Sequence, residues 1–181
     1  MVSGLVKPDP AARMLLIVDM LNGFLAPWGS LYCGRSARQI IPYVVRKSRR
    51  YRRAGWPVVF LCDSHRKHDP EFDHWPAHCV RGTNEAKIIP ELAQGDVTIV
   101  RKTTLSAFYN TRLTATLRQY RPQLVELAGV YTDICILLTA AELGVRGYRV
   151  RVLSRGVASY SRAGHKHALE LMQRCFAAEV A

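Results

Sequence analysis

The stretch Gly129-Val130-Tyr131-Thr132-Asp133-Ile134-Cys135 decides how this chain is read. An apolar run over residues 124–128 precedes it and reads as a buried strand; a helical pattern over residues 136–143 follows. A strand turning sharply into a helix can set a thiol beside the unpaired N–H groups of the helix start. Those groups and the helix dipole favour a thiolate, and Thr132 and Asp133 are both residue types that can cap such a helix. The alternative for Cys135 taken alone is a small buried hydrophobe, the usual fate of a free cysteine.

Outward from that unit, apolar strand-like runs alternate with helical patterns. Strands are expected at residues 14–18, 58–62, 97–100, 124–129 and 148–153, with an edge strand within 176–180. Helices are expected at about 36–54, stopped by Gly55 and Pro57, at 111–120, after Cys135, and at 164–174. Repeated strand–helix units of this kind predict an α/β fold: one Rossmann-like domain over residues 1–181, a mostly parallel sheet with helices on both faces. Asp19, Asp63, Lys102 and Cys135 each lie at or just beyond the carboxyl end of an expected strand. In open α/β sheets that edge, near the point where strand order reverses, is where ligands bind.

Composition narrows the classes. The 181 residues are 49% hydrophobic and 22% charged, as in ordinary globular proteins, and no apolar run approaches the roughly 20 residues that span a bilayer. Residues 1–13 contain no apolar core of a secretory signal. Cys33, Cys62, Cys79, Cys135 and Cys175 are odd in number and form no C-x-x-C pair, which predicts reduced thiols in a cytoplasm. The formal charge of +12 raises nucleic acid as a partner. Yet the cations concentrate at residues 46–53, on a helical pattern whose apolar face is Ile40, Ile41, Val44 and Val45, so they read as a solvated face. No zinc-finger, RNP-like or helix-turn-helix pattern accompanies them, and neither nucleic acid nor a membrane is expected as partner. Leu137, Leu138 and Leu171 could serve a homo-oligomer contact or the monomer core equally.

A carboxylate, an ammonium and a thiol brought together make a workable nucleophilic site. Asp19 could take the proton of Cys135 and return it to a leaving amine. Lys102 would stabilise the thiolate and hold Asp19 ionised. Backbone N–H groups of the 130–135 turn could receive an oxyanion, each worth about 3 kcal/mol in the transition state. The competing reading is an Asp19–Lys102 ion pair closing a strand end, with Cys135 inert. A second constellation is Asp63-Ser64-His65 with His78 further on. On extended backbone Asp63 and His65 share a side, and with Glu71 they form a nitrogen and oxygen donor set suited to zinc, iron or manganese. His68 and His74 are further candidates, and Cys79 reads as packing.

The segments LLIVDMLNGF, DSH, EFDHWPAHCVRGT, KTTLSAFYNT, AGVYTDICILLTAAELGVRGYRV and VASYSRAGHKHAL, in that order, resemble the isochorismatase-like cysteine hydrolases, and among them the nicotinamidases. The resemblance implies a triad of Asp19, Lys102 and Cys135, and a metal, zinc foremost, on Asp63, His65 and His78 with Glu71 as an added ligand. It also implies a cis peptide at Val130–Tyr131, oxyanion donors at the Tyr131 and Cys135 N–H groups, and Phe24, Trp75, Phe108 and Tyr131 around the substrate. The opening motif lacks a second acid that such proteins often carry, and Leu105 stands where an aromatic is frequent. The activity implied is metal-assisted hydrolysis of nicotinamide to nicotinate and ammonia in NAD salvage. The competing readings are an amidase acting on carbamoyl or ureido compounds, isochorismatase itself, and a catalytically silent basic binding protein.

Overall fold

The computed structural model describes residues 12–95 and 97–181; most of the N-terminal stretch read for a secretory signal lies outside them. Six strands form one sheet in the order β3-β2-β1-β4-β5-β6. These are β1 (Arg13–Val18), β2 (Val58–Asp63), β3 (Thr98–Lys102), β4 (Leu124–Val130), β5 (Val150–Ala158) and β6 (Glu179–Val180), and every pairing is parallel. The central strands are buried on both faces, which is why their sequences run apolar without alternation. In β1, Leu15 and Ile17 point into one core with Phe60, Val44 and Tyr51, while Met14, Leu16 and Val18 point into the other with Leu117, Ile136 and Met172.

Helices cover both faces, as the strand–helix alternation predicts. They are α1 (Asn22–Leu25), α2 (Arg35–Arg38), α3 (Ile41–Arg53), α4 (Leu113–Tyr120), α5 (Leu137–Val145) and α6 (Arg162–Phe176). The expected helix over 36–54 is two helices. Pro42 in the first turn of α3 has no N–H to offer a preceding turn and suits a helix start, so the chain begins anew there. The fifth strand runs on to Ala158, beyond the expected 153, with a register shift against β4 between Leu127 and Gly129.

One residue inside the run read as apolar is charged. Glu126, fully buried in β4, accepts from Tyr51 Oη at 2.6 Å and Arg151 Nη1 at 2.9 Å, and lies 2.7 Å from Lys47 Nζ. These partners come from α3 and β5, so the ion cluster ties one helical layer to the sheet centre. Burial alone would raise its pKa; Lys47, Tyr51 and Arg151 outweigh it and hold the carboxyl below its ordinary range.

After β3 the chain returns to the far side of β1 as β4. The strand order therefore reverses between β1 and β4, and the crevice at their carboxyl ends is the expected ligand position.

Candidate active site

Register brings the strand-end residues together. Asp63 and Lys102 are paired neighbours on β2 and β3. Asp19 follows β1 in a left-handed conformation (φ 50°), which aspartate tolerates better than most residues, and its Oδ1 accepts the Asp63 N–H at 3.0 Å. Beyond β4 the peptide Val130–Tyr131 is cis. The chain then makes a single π-turn, Thr132–Ile136, closed by the Ile136 N–H donating to Tyr131 O at 3.0 Å. Such π-turns recur at functional positions, and this one carries Cys135.

Lys102 Nζ stands at the centre. It is 2.9 Å from Asp19 Oδ2, 3.7 Å from Cys135 Sγ, and hydrogen-bonded to Asp63 Oδ1. All four side chains are at most 4% exposed. Two carboxylates against one ammonium leave this buried group short of positive charge. Burial accordingly pushes the Asp19 carboxyl up to about 6, and the Asp63 carboxylate adds to the rise against the pull of Lys102. Burial also drives the Cys135 thiol well above its usual range, with Lys102 opposing and both aspartates reinforcing. Burial would lower Lys102, but the Asp19 and Asp63 carboxylates hold it well above its ordinary value. The thiolate expected from the helix start is thus not the resting form. Desolvation thus favours a thiol beside the Asp19 carboxylate, with Lys102 Nζ 3.7 Å from the sulfur.

Asp63, His65 and His78 offer ligand atoms that all lie within 4.8 Å of one another. Backbone ties explain the approach of a residue so far along the chain: His65 N–H donates to Cys79 O at 3.2 Å, and Arg81 N–H to His65 O at 2.9 Å. The two imidazole rings stand 4.5 Å apart. Asp63 uses one oxygen on Lys102 and turns the other to both rings, 3.7 Å from His65 Nε2 and 3.5 Å from His78 Nε2. His78 Nδ1 is engaged with Pro76 O at 2.8 Å, which leaves Nε2 to ligate. The Nε2 of the fully buried His65 has no hydrogen-bond partner. An orphaned imidazole nitrogen beside a carboxylate oxygen, in a group short of positive charge, fits a divalent cation.

Glu71 lies outside that three-residue group, half-buried in the 3₁₀ turn Pro70–Asp73, where burial and the Asp63 carboxylate raise its pKa. His68 and His74 are exposed. A residue the sequence reading passed over is Asp69, which caps that turn and places Oδ2 3.3 Å from His65 Nδ1; its position immediately before Pro70 was the available signal.

The four aromatic candidates divide. Phe24 is buried, its ring 5.6 Å from both His78 and Tyr131. Trp75 and Phe108 instead line a cleft of about 1600 Å³ together with Glu71, Lys102, Leu105 and Glu142. Among the described residues no ring pairing joins Phe24 to Trp75. Phe108 lies under the Arg146 guanidinium at 4.0 Å.

The isochorismatase domain family matches residues 13–180. The chain belongs to the isochorismatase family. Among solved structures of that fold, nicotinamidase/pyrazinamidase PncA from Bacillus subtilis is 33% identical, with a TM-score of 0.88 over 94% of this chain and 99% of that one. Pyrazinamidase of Pyrococcus horikoshii in complex with zinc is 28% identical (TM-score 0.86; 93% and 98% covered). N-carbamoylsarcosine amidase from Thermoplasma acidophilum is 31% identical (TM-score 0.85; 93% and 95% covered). This isochorismatase-family chain is accordingly an amidase-type hydrolase. No helix among its described residues is long and apolar enough to cross a membrane.

Proposed function

We infer that the chain hydrolyses nicotinamide to nicotinate and ammonia through a thioester on Cys135. The observation that carries this reading is the position of Lys102 Nζ, 2.9 Å from Asp19 and 3.7 Å from Cys135, beside the donor set of Asp63, His65 and His78. Asp19 accepts the thiol proton as sulfur adds to the amide carbon, and Lys102 stabilises the charge on both partners. The N–H groups of Tyr131 and Cys135 receive the oxyanion. Asp19 then gives the proton to the departing nitrogen, which leaves as ammonia. In the second half Asp19 takes a proton from water, hydroxide adds to the thioester, and nicotinate departs as the sulfur recovers its proton.

Asp63, His65 and His78, with Glu71 nearby, would hold a divalent ion, zinc in the first instance and iron or manganese otherwise. When bound, that ion supplies a Lewis-acid anchor for the pyridine nitrogen, which orients the amide. Phe24, Trp75, Phe108 and Tyr131 supply the aromatic surroundings of the ring. The donor set favours a pyridine amide over a carbamoyl or ureido substrate, which offers no ring nitrogen to hold. The same pocket would take pyrazinamide, and the role is NAD salvage in the cytoplasm.

The test is ammonia release from nicotinamide, benzamide and an N-carbamoyl amino acid, with metal content measured on the same preparation. Nicotinamide should be consumed, benzamide (the same ring without its nitrogen) at least 100-fold more slowly, and Cys135→Ala should abolish turnover. Equal rates on benzamide would remove the case for ring-nitrogen recognition; preference for the carbamoyl compound would replace the substrate assignment.

A further inference from the structure

The catalytic turn is gripped from behind by a helix to which the mechanism above gives no part. Thr132 and Asp133, the first two residues of the π-turn bearing Cys135, each reach towards the N-terminal end of α6. Thr132 is fully buried, and its Oγ1 shares a hydrogen bond of 2.8 Å with His165 Nδ1. The Asp133 carboxylate accepts from Ser159 Oγ, just beyond β5. Its other oxygen lies where a side chain on Gly164 would go, so any larger residue there would displace the Asp133 carboxylate. A carboxylate at the start of a 15-residue helix is favourably placed against the helix dipole. Ser161 caps the same turn of α6 through the Gly164 N–H at 3.0 Å, and the His165 N–H donates to Ser161 O at 2.9 Å. The backbone that presents His165 is therefore itself fixed.

These fastenings do not act alike. Asp133 is held by a short serine and by backbone proximity, whereas Thr132 depends on one side chain from a different element. Thr132 sits between the cis peptide and the thiol, so its rotation would swing both the Tyr131 N–H and the Cys135 Sγ.

We propose that His165 is a positioning residue for the nucleophile, acting through Thr132 Oγ1 to fix the π-turn that aims Cys135 at Lys102 and Asp19. The proposal rests on the assignment of Cys135 as nucleophile, but not on nicotinamide as substrate. Misplacing a reacting group by about 1 Å from a remote substitution can cost about 100-fold in rate. A loss of about 10- to 100-fold in kcat is therefore expected for His165→Ala, with KM within about twofold. His165→Asn can still offer a polar atom near the Nδ1 position and should recover most of the rate.

The experiment measures kcat and KM beside the rate of Cys135 alkylation by iodoacetamide, mapped by mass spectrometry so that exposed Cys175 is counted separately. Variants are His165→Ala, His165→Asn, Thr132→Val, Thr132→Ser and the double variant His165→Ala/Thr132→Val, each with its thermal midpoint. The expected result is slower alkylation of Cys135 in the Ala and Val variants, near-normal rates for Asn and Ser, and a double variant no worse than either single. Thr132→Ser keeps the hydroxyl with minimal change of volume, so it tests the bond even if His165→Ala folds poorly. The proposal is overturned if Thr132→Val behaves as wild type, if Asn and Ala are equally impaired, or if the two losses multiply. It also falls if wild-type Cys135 proves unreactive. Alkylation that depends on His165 without ammonia from nicotinamide would sink the substrate assignment and leave this one standing.

Discussion

Lys102 is kept charged by groups that are themselves kept charged by Lys102, and that mutual dependence sets the cost of breaking it. Lys102→Ala strands two fully buried aspartates without a cation. Removing one partner of a buried ion group costs about 3–5 kcal/mol, so the urea midpoint should fall accordingly, in addition to the loss of turnover. Asp19 carries a second prediction. Its pKa of about 6 is raised, so it holds its proton further up the pH scale than an ordinary carboxyl. As the proposed base, Asp19 is therefore available above about pH 6 and is lost as pH falls through that value. The profile of kcat/KM for the free enzyme should drop about tenfold per unit below pH 6 and be level just above it. An acid limb centred near pH 4 would mean that burial does not set this group. At this scale the side chains that converge on Lys102 were legible, because carboxylate, amine and thiol types at strand ends are visible in the sequence. The charge state of the thiol was not visible. It follows from desolvation and from Asp63 joining Lys102, a proximity that only the strand register creates.

β4 concentrates the demands of the fold. Gly129 has φ 123°, and a Cβ there would run into the Val18 backbone. Gly129→Ala should cost about 3 kcal/mol or more, from a strained conformation and a collision together. The readout is the thermal or urea midpoint; a change below 1 kcal/mol would show that β1 and β4 can part at no cost. Glu126→Gln should cost about 1.5–3 kcal/mol, the range for hydrogen bonds to a charged group. The folded-state pKa of Glu126 is depressed, so its contribution is present above the ordinary glutamate value of about 4.3. It is lost as pH falls through the lower folded value. The gap in urea midpoint between wild type and Glu126→Gln should therefore be full at pH 7 and close under acid conditions. Strand and helix existence was legible from periodicity. The length of β5 and the π-turn were not, because each depends on a neighbouring element, whereas the division of the helix does carry a local mark in Pro42. The role of Glu126 within an apolar run is set by partners that come from α3 and β5, and nothing local states it.

At the scale of the whole molecule, the parallel sheet with helices on both faces was legible from alternating strand and helix patterns, and the carboxyl edge followed from it as the position of the site. The order β3-β2-β1-β4-β5-β6 was not, since nothing local in a strand states which neighbour it will take. An ion held by Asp63, His65 and His78 would bind the folded chain and not the unfolded one. At about 1000 times its dissociation constant such a ligand adds about 4 kcal/mol, which for a chain of this size is roughly 10 °C in thermal midpoint. Chelation should lower the midpoint by that order and restoring zinc should recover it, while His78→Ala should melt alike with and without chelator. The acid, the amine and the sulfur stand on strand ends and a tight turn, whereas two of the three candidate ligands and Trp75 belong to the loop that follows β2. On the proposed reading, the reacting groups and most of the metal donors are thus mounted on separable parts, with Asp63 shared between them. Exchanging residues 64–84 for the corresponding segment of another amide hydrolase should retarget the enzyme while leaving bond cleavage intact, so that new specificities arise by grafting and not by rebuilding the barrier-lowering groups.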